Sequence, residues 1–319
     1  MLLTLHVGLP KTATTTIQHV MEQCKPALAD RGVLYPGTTA FQLELVRRTQ
    51  RDRVGSSEAK GSLGEAVERM AAEIRAVGPD RVVLSCEHMV LVPDRAVGRL
   101  QQVIAERLPE IRAVEVLCYV REPIAFAASL CLQRLKSGTT SLAEFAENPW
   151  PLNLRELLAK HARRYGQEAM RLRYLHRDHL AGGSVADDFL AQIGLAGFPL
   201  PGPIPILNPS LSQDAALVAD ALVRLRPRAG GTGRPNDAYK RALEAIPGPK
   251  FVLPAEVQAR IIEASRKDLA AIRAGFGLDI RAEPVAADGG PVMSSVEALA
   301  LAAAIVRQVE GEADDGGGR

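Results

Sequence analysis

Residues 10–16 combine a lysine with several hydroxyl side chains, immediately before a predicted helix. Lys11 brings a full positive charge, and the hydroxyl donors are Thr12, Thr14, Thr15 and Thr16. The N-terminus of a helix offers unpaired amide groups and the positive end of the helix dipole, so a loop at this position suits a phosphate or another anion. The same residue types also occur in ordinary threonine-capped helices with an exposed lysine. Both interpretations stay open for this segment taken alone.

A second anion-binding pattern follows residues 114–120, the stretch that reads most clearly as a buried strand. Arg121 comes directly after this stretch, and an arginine at the end of a strand presents its guanidinium group to the ligand crevice of a parallel sheet. Pro123 suits the first turn of the next helix, and Ser129 lies about two turns further along it. A purely structural arginine at the strand end is the alternative.

Residues able to accept a proton follow a third predicted strand, 81–85, which lies between the two motifs in the sequence. Glu87 and His88 come immediately after Cys86. A hydroxyl group becomes a competent nucleophile when a base withdraws its proton during attack, and both side chains can do this. The alternative is that both residues only cap the following loop.

These residues need a sheet that brings strand ends together, and the first 200 residues predict one. Apolar runs of strand length lie at 2–7, 33–35, 81–85, 114–120 and 170–175. Segments of helix length lie between them, at 14–30, 63–77, 94–108, 124–136 and 154–165. Such alternation predicts right-handed βαβ units and an α/β fold with a mostly parallel sheet of about five strands, flanked by helices. Ligands bind at the carboxyl ends of the strands in such sheets.

The chain changes character towards its C-terminal third, where helical segments at 211–225, 254–274 and 294–309 alternate with breaks rich in glycine and proline. We therefore predict an α/β core over residues 1–200 and a helical extension packed on it over 201–309. The acidic, glycine-rich residues 310–319 predict a disordered tail. The arginine-rich run 47–53 reads as a solvated loop, which can guide an anionic acceptor.

Composition and charge argue against several classes of protein and of binding site. A net charge of +2 argues against a dedicated nucleic-acid binder, which usually carries a strong basic excess. The four cysteines show no metal-type spacing and read as buried thiols. His176 and His179 have a metal-like spacing without a third ligand, so no metal site is predicted. Without a leader-like segment or an apolar stretch long enough to span a bilayer, we expect a cytoplasmic protein with no transmembrane segment.

Both anion-binding motifs resemble those of the PAPS-dependent sulfotransferases, and the likeness extends over roughly residues 2–215. Arg121, Pro123 and Ser129 match the element RxPxxxxxS that holds the 3′-phosphate in that family. The first motif resembles the 5′-phosphosulfate loop, PK[ST]GT[TS], over Pro10, Lys11, Thr12, Ala13, Thr14, Thr15 and Thr16. Ala13 stands where the family has glycine, and its methyl group crowds the backbone's approach to the phosphate unless φ is negative and the side chain points away. The residues after the threonines resemble the bacterial and carbohydrate-type branch.

The resemblance implies a P-loop-like sheet and in-line transfer of a sulfuryl group from PAPS to a hydroxyl-bearing acceptor such as a glycan or glycolipid, with release of PAP. Lys11 would neutralise charge that develops on the phosphosulfate, and Arg121 with Ser129 would hold the 3′-phosphate. Glu87 is favoured over His88 as the base, because the string 84–88 resembles the carbohydrate-type form. No metal is then needed.

Two other functions stay open at this point. A nucleotide-dependent phosphotransferase of kinase type would need magnesium ligands and a GxxxxGK[ST] loop, and this loop is absent from the sequence. A non-catalytic nucleotide-binding module is the second alternative, with Ala13 as a sign of lost activity. The apolar face predicted for residues 294–309 can pack internally or pair two subunits, so a homodimer also stays open.

Overall fold

The structure is a computed structural model that describes residues 1–51, 62–150, 152–204, 210–225, 237–287 and 289–315. The strands are β1 Leu2–Val7, β2 Val33–Leu34, β3 Arg81–Cys86, β4 Ala113–Val120 and β5 Met170–Tyr174. The helices are α1 Thr14–Gln23, α2 Lys25–Ala29, α3 Thr39–Arg51, α4 Leu63–Val77, α5 Asp94–Arg107, α6 Pro123–Lys136, α7 Leu142–Glu147, α8 Leu154–Tyr165, α9 Val185–Gln192, α10 Gln213–Leu225, α11 Asp237–Glu244, α12 Ala255–Phe276 and α13 Ser295–Asp315. A short 3₁₀ helix, Glu87–Val90, follows β3.

The five strands form one sheet in the order β2-β3-β1-β4-β5, and every neighbouring pair is parallel. β1 lies in the centre, where Val7 pairs with Cys86 of β3 and His6 with Leu117 of β4. Parallel strands require helical crossovers, which explains the alternation of strands and helices along the sequence. The predicted fold class, an α/β fold with a P-loop-like parallel sheet flanked by helices, is confirmed.

Both faces of the sheet are buried. Helices α1, α2 and α9 cover one face, where Ile17, Met21 and Phe189 pack with Leu117 and Tyr119 of β4. Successive side chains of a strand point to opposite faces, and the alternate residues of the central strands are buried as well. These residues include Leu3, Leu5, Val7, Val82, Leu84, Val116, Cys118 and Val120. Burial on both faces explains why the strands read as continuous apolar runs.

Two helical segments differ from the sequence prediction. The predicted helix 14–30 is interrupted at Cys24, because Pro26 stands in the first turn of α2 and cannot continue the hydrogen bonding of α1. The arginine-rich run is not a loop over the residues that the structure describes, since residues 47–51 belong to α3. Arg48 donates to Glu44 on the same helix at 3.2 Å. Residues 52 and 53 of the run lie outside the described residues.

The chain divides into two compact units, each made of three stretches of sequence. Unit one contains the sheet and comprises Met1–Glu122, Asn153–Leu207 and Asp268–Ile280. Unit two comprises Pro123–Leu152, Asn208–Lys267 and Arg281–Arg319. Each unit thus combines segments from both sides of residue 200. The last helix continues to Asp315, six residues beyond the predicted end at 309, and residues 316–319 lie outside the described part.

Unit two is helical over its described residues. Helix α10 contacts α6, α11 and α13, and the main-chain N–H of Leu142 donates to Asp220 of α10 at 2.7 Å. An apolar cavity of about 560 Å³ lies within this unit, and Phe145, Leu217 and Phe251 are among the residues that line it. In the part of the chain that the structure describes, no helix combines the length and the apolar character that a membrane span requires.

A buried carboxylate ties α9 to the edge of the sheet. Asp188 is fully buried and accepts a hydrogen bond from the Tyr119 hydroxyl at 2.8 Å. Arg173 of β5 donates to the same carboxylate through Nε at 3.1 Å, and the main-chain N–H of Ala181 donates at 3.1 Å. Burial, followed by the charge of Asp188, raises the pKa of Tyr119 far above its usual range. The Tyr119 hydroxyl therefore stays protonated and donates to the Asp188 carboxylate.

We expect Asp188→Ala to lower the free energy of unfolding by about 2–3 kcal/mol, because it leaves the buried Tyr119 hydroxyl without a partner. The same change at Asp178, whose side chain is 81% exposed, is the matched control and should stay within about 0.5 kcal/mol of wild type. Urea denaturation measures both values. Equal losses in the two variants would contradict the role given to Asp188.

Candidate active site

A six-residue loop joins the central strand to α1 and has an unusual backbone. Lys11 and Ala13 both have a φ of 62°, in the left-handed region that residues other than glycine rarely occupy. When residues at alternate positions are left-handed, successive main-chain N–H groups can turn towards one anion. No side chain caps the N-terminus of α1, whose first described hydrogen bond runs from Ile17 N to Ala13 O at 3.1 Å. The left-handed residues of the loop are thus compatible with N–H groups that turn towards an anion.

Ala13 does not meet the condition under which its methyl group fits easily. Its φ is positive, with ψ at 23°, whereas an easily tolerated alanine requires a negative φ. An alanine in this conformation stores about 1 kcal/mol of strain, because its Cβ approaches the carbonyl oxygen. The family's glycine avoids this strain. The loop keeps its left-handed form here despite the alanine.

The four threonines have different environments. Thr12 is fully buried and donates its hydroxyl to the Leu9 carbonyl at 2.6 Å, so it stabilises the loop itself. Thr14 is 3% exposed, and its hydroxyl oxygen has no hydrogen-bond partner among the described residues. Thr15 is exposed and Thr16 half-buried. Because buried hydroxyls nearly always have a partner, Thr14 is the threonine of the loop whose hydroxyl still has hydrogen-bonding capacity among the described residues.

Gly8 brings the loop against the end of β3. A Cβ atom at Gly8 would lie 2.3 Å from Oγ1 of Thr14 and 3.2 Å from Cα of Glu87, so only glycine allows this approach. Glu87 is half-buried and begins the 3₁₀ helix after β3. His88 belongs to the same short helix, and its side chain lies outside the described part of the structure. The backbone of the predicted base thus lies directly beside the predicted phosphate loop.

Arg121 connects the end of β4 to the same loop. Its Nη1 atom donates to the carbonyl oxygen of Lys11 at 3.3 Å, across 110 positions of sequence. Burial lowers the pKa of Arg121, while the charge of Glu122 acts in the opposite direction. An arginine has five N–H donors, so most of its hydrogen-bonding capacity does not depend on this contact. Arg121, the first residue of the second motif, therefore contacts the first motif within unit one.

The remaining residues of the second motif lie on α6, in unit two. Ser129 is half-buried on this helix, which begins at Pro123. Gln133, about one turn further along α6, is exposed. Lys136 forms an ion pair with Glu244 of α11 at 2.7 Å. Its charge is thus already matched within unit two.

A buried polar network beneath the loop was not apparent in the sequence. His6 of β1 is fully buried, and its Nδ1 lies 2.7 Å from the hydroxyl of Ser85. Gln42 accepts from Ser85 N at 2.6 Å, and Gln18 donates to Ser85 O at 2.7 Å. Burial lowers the pKa of His6 to about 3, so this imidazole is neutral near pH 7. The network links α1 and α3 to the strands that precede the phosphate loop and the base.

The predicted histidine pair lies at the end of β5. The rings of His176 and His179 are 5.9 Å apart, and the ring of Tyr174 lies 4.9 Å from that of His179. Among the described residues, no group of three or more histidine, cysteine or acidic side chains has the arrangement of a metal site. The pair is therefore part of a ring cluster at the carboxyl edge of the sheet.

No protein-family model matches the chain, and no curated protein matches it either. Among solved structures, the chain is similar to the crystal structure of a sulfotransferase from Alicyclobacillus acidocaldarius, with 12% sequence identity and a TM-score of 0.48. The similarity covers 87% of this chain and 96% of that chain. A similarity at this level assigns neither a family nor a function to the chain.

We expect Ala13→Gly to leave the free energy of unfolding within about 0.5 kcal/mol of wild type, because relief of left-handed strain offsets the greater entropy of the unfolded chain. Ala27→Gly is the matched control, since Ala27 is exposed within the ordinary helix α2. The control should lose about 0.5–1 kcal/mol. A comparable loss at position 13, measured by urea denaturation, would mean that Ala13 is not strained.

Proposed function

We propose that the protein is a sulfotransferase that moves a sulfuryl group from PAPS to a hydroxyl acceptor and releases PAP. The observation that carries this proposal is the contact between Arg121 and the Lys11 carbonyl. The two motifs that resemble the family's elements for the 5′-phosphosulfate and the 3′-phosphate lie far apart in sequence, and this bond joins them. A donor that carries a 3′-phosphate as well as a 5′-phosphosulfate suits these two motifs better than ATP, which has no 3′-phosphate.

The residues of the loop fit an anionic donor. The left-handed backbone at Lys11 and Ala13 favours inward N–H groups, and the buried Thr14 hydroxyl has donor capacity that no described residue uses. Gly8 keeps the space between the loop and β3 free of a side chain. These three features support a phosphate or sulfate group bound at the N-terminus of α1.

In this proposal each residue has one task. PAPS supplies the sulfuryl group and carries PAP as the leaving group. Lys11 and the amides of the loop stabilise the negative charge that develops on the 5′ side, and Arg121 orients the 3′-phosphate. Ser129 is proposed for the same phosphate by its resemblance to the family's element alone. Glu87 accepts the proton of the attacking hydroxyl, with His88 as the second candidate. Positioning and charge stabilisation account for the rate, as in phosphoryl transfer, and Lys11 can supply the positive charge without a metal.

The acceptor is proposed as a glycan or glycolipid, by resemblance to the carbohydrate-type branch. A cytoplasmic location, a bacterial branch and a homodimer stay predictions. A kinase-like phosphotransferase would show magnesium-dependent turnover of ATP. A non-catalytic nucleotide-binding module would bind PAP without any transfer.

We expect Arg121→Ala to weaken PAP binding by about 10- to 100-fold, because it removes charge-assisted hydrogen bonds to the 3′-phosphate. Calorimetry with PAP measures the change. Arg112→Ala is the matched control, since Arg112 is exposed and precedes the amino end of β4, at the opposite edge of the sheet. Undiminished PAP binding in Arg121→Ala would rule out the assignment of the 3′-phosphate, and wild-type protein that does not bind PAP at all would refute the whole proposal.

We expect Glu87→Gln to lower the rate of label transfer from radiolabelled PAPS to a panel of glycans and small alcohols by about 100-fold or more, because the amide cannot accept the proton. PAP binding should be unchanged. Lys11→Ala should also abolish transfer, since it removes charge from the phosphosulfate side. If His88→Ala loses transfer while Glu87→Gln retains it, the base is His88.

A further inference from the structure

A lysine of α8 is buried against the segment that follows the proposed base. Lys160 is 6% exposed, and its Nζ atom donates to the carbonyl oxygen of Val92 at 2.7 Å. The same Nζ atom donates to the carbonyl oxygen of Val90. Val90 ends the 3₁₀ helix that begins at Glu87. One ammonium group thus holds two main-chain carbonyls within five positions of Glu87.

This arrangement differs from an ordinary surface lysine. Lysines are almost never this buried unless their charge is compensated, because removing an ammonium group from water is costly. Burial lowers the pKa of Lys160 to about 8, and the charge of Arg163 acts in the same direction. Asp94 of α5 and Glu156 of α8 act in the opposite direction. Both described hydrogen bonds of the ammonium group nevertheless go to main-chain carbonyls of the segment after β3.

The neighbouring histidine completes the contact between α8 and this segment. His161 is fully buried, and burial together with the charge of Lys160 lowers its pKa to about 4, while the backbone of Met89 acts in the opposite direction. His161 is therefore neutral near pH 7. The cation at this contact is Lys160, and it bonds to both sides of Leu91, which is 46% exposed. Without it, the carbonyls of Val90 and Val92 would lose a charged donor in the interior.

We propose that Lys160 is a positioning residue that anchors residues 87–92 through the carbonyls of Val90 and Val92, and so keeps Glu87 at the carboxyl end of β3. The effect on transfer rests on the proposed function, whereas the anchoring itself does not. Main-chain hydrogen bonds to one fixed ammonium group restrict where the 3₁₀ helix can lie relative to α8. A displacement of about 1 Å at a reacting group can lower a rate by about 100-fold, which is why such an anchor matters.

The first experiment measures amide hydrogen exchange over residues 87–93 in three forms of the full chain. Lys160→Met removes the charge and the donors at nearly constant length. Arg163→Met removes a positive charge from the same helix, at an exposed residue paired only with Glu156 in the described contacts. We expect faster exchange over 87–93 in Lys160→Met by about 10-fold or more, and wild-type exchange in Arg163→Met. Equal exchange in the two variants would overturn the proposal.

The second experiment uses the pH dependence of wild-type protein, so it holds even if Lys160→Met does not fold. The ammonium form donates most strongly, and it is lost as the pH rises through about 8. Protection of residues 87–93, corrected for intrinsic exchange, should therefore fall between pH 7 and pH 9. Neither His161 nor the carboxylates Asp94 and Glu156 titrate in this interval, because the pKa of His161 is about 4 and the pKa values of both carboxylates are lowered. Constant protection across this interval would overturn the proposal.

The third experiment measures transfer from radiolabelled PAPS. Lys160→Met should lower kcat by about 10- to 100-fold with the Kd for PAP unchanged, because the base is displaced and the donor loop is not. In wild type, kcat should fall as the pH rises through about 8. Lys160→Arg should keep the kcat that Lys160→Met loses, and its kcat should not fall at alkaline pH, since arginine stays protonated. A weaker Kd for PAP with kcat retained would contradict a role through Glu87. If wild type shows no transfer, the proposed function fails, and the exchange measurements still decide whether Lys160 anchors the segment.

Discussion

The site depends on the parallel register of the central strand with its two neighbours. Because Val7 pairs with Cys86 and His6 with Leu117, the residues after β1, β3 and β4 leave the sheet at the same edge. Gly8 then meets Glu87, and Arg121 reaches the Lys11 carbonyl. A slip of one residue in either pairing would turn the buried side chains of the slipped strand to the other face of the sheet and shift the residues that follow it along the edge. The buried apolar residues on both faces fix the strand register, and the register decides which residues meet at the carboxyl edge of the sheet.

Polar groups below this edge are held in place at some cost in stability. His6 is neutral and buried, Lys160 is a buried cation, and Ala13 keeps a left-handed backbone. Each of them lies within or beside a segment that leads to the proposed site. Strained or buried polar features of this kind persist where the surrounding structure fixes them, and they concentrate at functional sites. All three of these residues belong to unit one.

The sequence predicted all five strands to within about two residues, because buried parallel strands are short apolar runs bounded by turn signals. It missed α3, because the arginine-rich residues 47–51 made the segment look like a solvated loop although Leu45 and Val46 before them are buried. The break at Cys24 could have been predicted from Pro26. The anchoring by Lys160 could not, because it depends on carbonyls about 70 positions earlier that only the tertiary structure brings to α8.

The interleaving of the two units limits how the protein can be taken apart. The chain passes from one unit to the other after residues 122, 152, 207, 267 and 280. The shortest uninterrupted fragment that contains all of unit one is residues 1–280, and it also carries parts of unit two. Ribosomal synthesis must also deliver residues 268–280 before unit one has all its segments. Folding of the sheet-containing unit is thus completed only when nearly nine-tenths of the polypeptide has been made.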